Sequence, residues 1–243
     1  MKLSVVLPTW NEAEALASAL KSLPTSSEVI VADGGSADDT MEVARSWGAR
    51  LVSCERGRAR QMNLGARLAE GEVLLFLHAD SALGPGADSA IESALADSRT
   101  VGGSFRLRIR STKPALKLVA LGSNSRARYL GMPYGDQGIF LRRSVYDEIG
   151  GFPDIPFLED VALIRLLRRK GRLVQLDVPL STGDRHWRDL GVAVTTLLNW
   201  TMVALYLGGV SPERLAPHYR RLRGPEGMLP KTPRKIAPAA QPD

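Results

Sequence analysis

The first hundred residues alternate between short unbroken apolar runs and longer stretches with helical spacing of apolar positions. "LSVVLP" (3–8), "SEVIVAD" (27–33), "ARLVS" (49–53) and "VLLFL" (73–77) predict strands. Between them "NEAEALASALKSL" (11–23), "DDTMEVARSWG" (38–48) and "GRARQMNLGARLAEG" (57–71) predict helices, the first read with Asn11 as its cap and Glu14 three residues on, the second stopping at Gly48. A strand that is apolar at consecutive positions, not alternate ones, is buried on both faces. Strands of this kind separated by helices imply an α/β chain: a mostly parallel sheet with helices on both faces.

After about residue 100 the alternation loosens. "GGSFRLRIR" (102–110) alternates apolar and charged residues, as an antiparallel or edge strand does. "KPALKLVALGSNSRARYLG" (113–131) and "FLEDVALIRLLRRKG" (157–171) predict helices, and "QGIFLRR" (137–143) and "RLVQLDVPL" (172–180) predict strands. From Leu190 to Val210, 21 residues pass without a charge, which reaches the length of a membrane span. On a helical wheel Thr195, Asn199 and Tyr206 gather opposite Leu190, Val194, Leu197 and Leu205, which fits a helix docked on the domain or lying at a membrane interface better than a span. The expected organisation is one domain over 1–188, a C-terminal helical extension over 189–223, and a proline-rich disordered tail over 224–243. No internal repeat is found.

Composition adds little to this picture. The 243 residues carry 32 Lys and Arg against 26 Asp and Glu, a net charge of +6, which suits phosphorylated substrates, anionic lipid or nucleic acid without choosing among them. Cys54 is the single cysteine, so an intrachain disulfide is excluded. "MKLSVVLPTWNE" has too short an apolar run for a signal-peptide core, and a cytoplasmic location is expected, with the inner face of the membrane as a peripheral alternative.

The candidate chemistry lies where the strands end. In an open parallel sheet, ligands sit outside the carboxyl ends of the strands, where loops and helix amino termini converge. Thr9, Asn11 and Glu12 follow the first strand, Asp33 the second, and His78 and Asp80 the fourth, so three loops bring polar groups to one edge. The first turn, "LPTWNEAE", lacks the glycines of a dinucleotide fingerprint, and no GxxxxGK[ST] loop is present.

With "VVLPTWNE", "VADGGSADDT", "RARQMNLGARLAEGEVLLFLHAD", "GDQGIFLRR" and "FLEDVALIRLLRRKG" in this order over residues 3–172, the chain resembles the family 2 glycosyltransferases of GT-A fold, a Rossmann-like sheet. The resemblance implies a nucleotide-diphosphate-sugar donor, a divalent metal (Mn2+ or Mg2+) and an inverting transfer to an acceptor hydroxyl. By it, Asp33 accepts from the nucleotide base in a pocket with Pro8, Asn11 and Glu12. "HAD" stands where the family carries Asp-x-Asp, making Asp80 the metal ligand. His78 replaces the first aspartate, either on the metal, which would favour manganese, or as a cap or phosphate partner. Arg60 and Asn63, with Arg58 the weaker arginine, open a helix suited to phosphate. Asp160 matches the catalytic base, with Glu159 the alternative base or an acceptor neighbour. Asp136 and Gln137 would border the acceptor or sugar, and His186 and Trp187 would close over the donor or simply pack.

Several alternatives stay open at this level. Asp33 also reads as a turn residue, Asn11 as a helix cap, and the acidic pair as macrodipole compensation. The acceptor is a small molecule or a lipid-linked hydroxyl. A nucleotidyltransferase would keep Asp33 and Asp80 without needing Asp160, and a polyanion-binding protein would need neither. No RNA or DNA motif occurs, so nucleic acid is not an expected partner.

Overall fold

A computed structural model describes residues 1–223 of the chain, so the expected disordered tail lies outside the described residues. In chain order the elements are β1 (Leu3–Thr9), α1 (Ala13–Leu20), β2 (Glu28–Asp33), α2 (Thr40–Ser46), β3 (Arg50–Ser53), α3 (Arg58–Leu68) and β4 (Val73–Phe76). There follow β5 (Ala82–Leu83), α4 (Ala87–Leu95), β6 (Thr100–Ile109), α5 (Pro114–Leu130), β7 (Ile139–Arg142), α6 (Arg143–Ile149) and α7 (Glu159–Leu167). Last come β8 (Arg172–Thr182), α8 (Val192–Leu207) and α9 (Pro212–Arg223), with 3-10 turns at Gly135–Gln137 and Arg185–Trp187. Helices α4 and α6 were not expected from the pattern of the chain, and α8 and α9 form the helical extension expected over 189–223.

One eight-stranded sheet runs β3-β2-β1-β4-β7-β6-β8-β5. The first four strands are mutually parallel, β7 is antiparallel to both β4 and β6, and β6 is parallel to β8. The β6 segment is therefore antiparallel on one side only, and it is no edge. Its Gly-Gly start follows from that central place: a Cβ on Gly103 would stand 2.0 Å from the carbonyl oxygen of Val174 on β8.

The consecutive apolar positions divide between two cores. Val5, Leu7, Leu75 and Leu77 pack with Leu16 and Leu20 of α1 and Ile91 of α4. Val6, Leu74 and Phe76 pack with Met62 of α3 and Leu163, Ile164 and Leu167 of α7 on the other face. Successive side chains of a strand point to opposite faces, so a strand covered by helices on both sides needs apolar residues throughout.

From β1 the chain moves outward through β2 to β3, then crosses back to β4 on the other side of β1. That reversal opens a crevice at the carboxyl ends of β1 and β4. The "LFLHAD" run therefore delivers His78 and Asp80 into the crevice directly from the buried core.

A third core joins the C-terminal helices to the domain: Leu158 and Val161 pack with Met202 of α8 and with Leu215 and Tyr219 of α9. Leu158 takes a left-handed conformation, φ 63°, immediately before α7. That conformation costs a residue with a side chain roughly 1–2 kcal/mol, and burial of Leu158 in this core holds it. The wheel pattern of α8 is observed, with its polar side turned inward: Thr195 is fully buried while Leu197 and Trp200 are 66% and 63% exposed.

Candidate active site

The loops after β1 and β2 fasten each other. Asn11, in the left-handed region at φ 50°, donates its backbone N–H to Ser36 Oγ and accepts at Oδ1 from the Ala37 N–H. It does not cap α1. The N–H groups of Glu12 and Ala13 are taken instead by Thr40 Oγ1 and Asp38 Oδ2 of the second loop. Asp33 is buried, its Oδ2 accepting from the Gly35 and Ser36 N–H groups at 2.8 Å each and its Oδ1 from the hydroxyls of Thr9 and Ser36. Behind them Gln61 Nε2, unnoticed in the sequence, donates to the carbonyls of Thr9 and Ala32, tying the ends of β1 and β2 together.

The loop after β4 carries His78 and Asp80. Arg185, from the turn after β8, lies 2.7 Å from Glu12 Oε2 and 3.6 Å from Asp80 Oδ2 and so bridges two carboxylates of the expected site. Burial, reinforced by the Arg58 guanidinium, lowers the His78 pKa to about 4, which leaves its imidazole unprotonated at neutral pH.

Across the crevice, α7 begins with Glu159 and Asp160. Asp160 Oδ2 accepts from the Gly135 N–H at 2.7 Å and Oδ1 from the Val161 N–H at 2.8 Å. A Cβ on Gly135 would stand 3.1 Å from His78 Nε2 and 3.3 Å from Asp160 Oδ2, so the ends of β4 and α7 converge on this glycine. Glu159 is buried, with Arg58 4.0 Å from its Oε1. Burial first, and the neighbouring Asp160 second, raise its pKa to about 6.

Asp136, in the Gly135 turn, has a buried Oδ1 with no hydrogen-bond partner, and its pKa is pushed up to about 6, chiefly by burial and further by Asp160. The folded pKa exceeds the ordinary 3.8, so the folded state holds the proton more tightly than the unfolded chain. This contribution to stability is present below pH 4 and is lost as pH rises through 6. Asp136→Asn is accordingly expected to raise the melting temperature at pH 8, by an effect on the order of 2 kcal/mol, and to leave it unchanged at pH 3.5. Thermal unfolding at the two pH values checks this; equal effects at both would remove the buried charge as its cause.

Together these loops enclose a cleft of about 960 Å³. Of the residues expected from sequence, Pro8, Glu12, Arg60, His78, Asp80, Glu159 and His186 line it. Asn11, Asp33, Asn63, Asp136, Gln137, Asp160 and Trp187 do not, although Asp160 and Asp136 stand directly behind the wall. Asn63 is a structural pin, donating to the Phe152 carbonyl and accepting from the Phe152 N–H and the Tyr146 hydroxyl. Gln137 is fully buried in a polar network with Asn124 and Arg126, and Trp187 packs against Leu107, Ile109 and Leu116.

Both arginines line the cleft: Arg60 is paired with Asp154 and Glu55, and Arg58 stands 4.0 Å from Glu159 Oε1. Arg56 lies 3.9 Å over the Trp10 ring, and burial together with the nearby Arg58 and Arg220 lowers its pKa. Repelling guanidiniums on a cleft wall suit an anionic ligand.

Tyr219, Arg220 and Arg221 of α9 complete the lining. Arg223 fixes that helix by donating to the His186 ring at 2.8 Å and to its carbonyl at 3.0 Å, which leaves His186 unprotonated, its pKa lowered to about 3 by burial and by Arg223. Among the described residues no three His, Cys, Asp or Glu side chains gather as a metal cage. An unprotonated imidazole and a carboxylate two residues apart nevertheless fit an ion whose other ligands come from a diphosphate.

The model of the glycosyl transferase family 2 matches residues 4–150. A PGL/p-HBAD biosynthesis glycosyltransferase of Mycobacterium bovis (strain BCG / Pasteur 1173P2) is 36% identical over 91 residues, 33% of this chain; the match spans about a third, 36%, of that relative's length. An uncharacterized glycosyltransferase of Mycobacterium tuberculosis (strain ATCC 25618 / H37Rv) is 28% identical over 72% of this chain and 83% of its own length. Among solved structures, a mannosyltransferase from Pyrobaculum calidifontis in complex with GDP-Man and Mn2+ superposes with a TM-score of 0.63 at 20% identity, covering 90% of this chain and 68% of that one. S. aureus TarS 1-349 with UDP-GlcNAc gives 0.61 at 18% identity, covering 76% and 59%. The structural likeness bears on the fold, which it shares with these GT-A proteins.

Proposed function

Because the chain belongs to glycosyl transferase family 2, we propose that it moves a sugar from a nucleoside-diphosphate donor to an acceptor hydroxyl, with inversion at the anomeric carbon. The observation that carries this reading is the convergence on Gly135 of His78 Nε2, which lines the cleft, and Asp160 Oδ2, which stands behind its wall. It supports a reading in which the leaving diphosphate lies beside a carboxylate able to take the acceptor's proton.

In the proposed reaction the acceptor oxygen attacks the anomeric carbon as the bond from that carbon to the diphosphate oxygen breaks. The hydroxyl proton passes to Asp160, and the bonding pair leaves with the nucleoside diphosphate. Arg58, at the start of α3, and Arg56 meet the growing negative charge on that diphosphate. Asp80, with His78, would hold a divalent ion; when bound it neutralises the leaving group. His78 as a ligand would favour manganese over magnesium. Asp33 organises the base pocket through its own loop, with Pro8 and Glu12 in the wall, and Tyr219 and His186 flank the acceptor side.

Similar structures hold UDP-GlcNAc, GDP-Man and Mn2+, so UDP, GDP and their sugars are the first donors to try. Calorimetric titration with and without Mn2+ is expected to show one nucleoside diphosphate binding at least about tenfold more tightly with the metal, about 1.4 kcal/mol. Absence of binding by every nucleoside diphosphate, with either metal, in a folded sample would overturn the donor assignment.

A further inference from the structure

Among the described residues, ten of the twelve large apolar side chains that the fold leaves exposed lie on α5, α8 and α9. Leu118 and Leu121 stand out on α5, and Val194, Leu197, Trp200 and Leu205 on α8. The three helices are neighbours: α8 packs on both α5 and α9. Apolar exposure at this density marks a surface that meets something other than water.

The orientation of α8 is fixed from inside. Asn199 Nδ2 lies 3.1 Å from His186 Nε2, and Asn199 Oδ1 accepts from the Tyr219 hydroxyl at 2.9 Å. Thr195 is fully buried, and Tyr206 packs with Leu158 and Leu215. A helix docked on a water-soluble domain ordinarily buries its apolar side. Here the buried side, which also holds Met202, is tied down by its polar groups, and a second apolar side with Val194, Leu197, Trp200 and Leu205 faces out.

Charge identifies the occupant. Of the seven Lys and Arg on α5, α8 and α9, Arg223 is buried against His186 and Arg126 turns inward to Met132 and Tyr134, which leaves Lys117, Arg128, Arg214, Arg220 and Arg221 exposed against the single Glu213, with Arg220 and Arg221 also lining the cleft. Apolar side chains, an exposed tryptophan and a concentrated positive charge on one group of helices are what an anionic bilayer surface binds.

We propose that α5 and α8 dock the protein on an anionic lipid bilayer, with Leu197 and Trp200 entering the interface. No helix among the described residues is long and apolar enough to cross a membrane, so the contact is peripheral. Helix α9, beside α8, lines the cleft with Tyr219, Arg220 and Arg221, and docking brings the cleft to hydroxyls borne on lipid. Only that last consequence rests on the sugar-transfer reading.

The test is vesicle co-sedimentation of the full chain without donor, so its outcome is independent of the transfer chemistry. Vesicles of phosphatidylcholine mixed with phosphatidylglycerol are expected to bind the wild type at least about tenfold more tightly than phosphatidylcholine alone. The double variant Leu197→Ser, Trp200→Ser, altered only at exposed positions, is expected to lose at least about tenfold in binding with an unchanged melting temperature. Brominated lipid should quench wild-type fluorescence and fail to quench Trp200→Phe to the same extent. No binding by the wild type, equal binding by the double variant, or a dimer that the double variant dissolves would each overturn the proposal, the last by assigning the face to a second copy of the chain.

Discussion

Asp160→Asn is expected to lower kcat for sugar transfer about a thousandfold, close to 4 kcal/mol of barrier, while donor affinity stays within a factor of about three. The carboxylate is positioned by two backbone N–H groups, Gly135 on Oδ2 and Val161 on Oδ1, and asparagine keeps an acceptor for one of them. The change thus removes the proton acceptor with little disturbance of its frame.

Glu159 is the competing base. It lines the cleft directly, and its pKa, raised by burial and by Asp160 to about 6, lies closer to neutrality, which favours proton transfer near pH 7. Against it stands Arg58, 4.0 Å from Oε1, which ties Glu159 to the diphosphate side of the cleft. Steady-state rates for Asp160→Asn and Glu159→Gln separate the two. An acid limb near pH 6 that persists in Asp160→Asn and vanishes in Glu159→Gln would move the base to Glu159, and a wild-type rate in Asp160→Asn would end its assignment.

Asp80→Ala is expected to weaken Mn2+-dependent donor binding at least about a hundredfold, about 2.7 kcal/mol, and to leave metal-free binding unchanged. The Asp80 side chain contributes little to the folded frame: its hydrogen bond from the Thr182 hydroxyl is 3.4 Å long, and Arg185 lies 3.6 Å away, more tightly bound to Glu12, while the Arg110 bond to the Asp80 carbonyl survives the substitution. The melting temperature of the ligand-free variant should therefore move by only a degree or two. Titration of Asp80→Ala with donor across manganese concentrations makes the measurement, and an undiminished metal response would place the ion elsewhere. A nucleotidyltransferase would share the Asp80 effect and be indifferent to Asp160→Asn.

The candidate site was legible in the sequence as a location more than as a set of side chains. Parallel strands put their carboxyl ends on one edge, and Glu12, His78 and Asp80 reach that edge by position alone, whereas Glu159 was indicated only by the resemblance. Asn11, Asn63 and Gln137 have residue types that suit ligands, yet their hydrogen bonds go to protein groups: Asn11 to the Ala37 N–H, Asn63 to the Phe152 backbone, Gln137 to Asn124. Those partners lie 26, 89 and 13 residues away, beyond any local pattern. The α9 residues Tyr219, Arg220 and Arg221 were missed for the converse reason, since nothing beside them in the chain marks a cleft; Arg185 was missed although its neighbours His186 and Trp187 were singled out.

The two-faced sheet is written in the strands themselves, because strands of consecutive apolar residues can be satisfied only between two helical layers. So is the choice of strand ends that carry the chemistry, because the polar residues follow those strands directly. The direction in which α8 faces, by contrast, comes from contacts between distant parts of the chain. Helical periodicity reveals that a helix has two sides, and the choice between them was made by Asn199, whose partners His186 and Tyr219 come from a turn and a helix on either side of it in the chain.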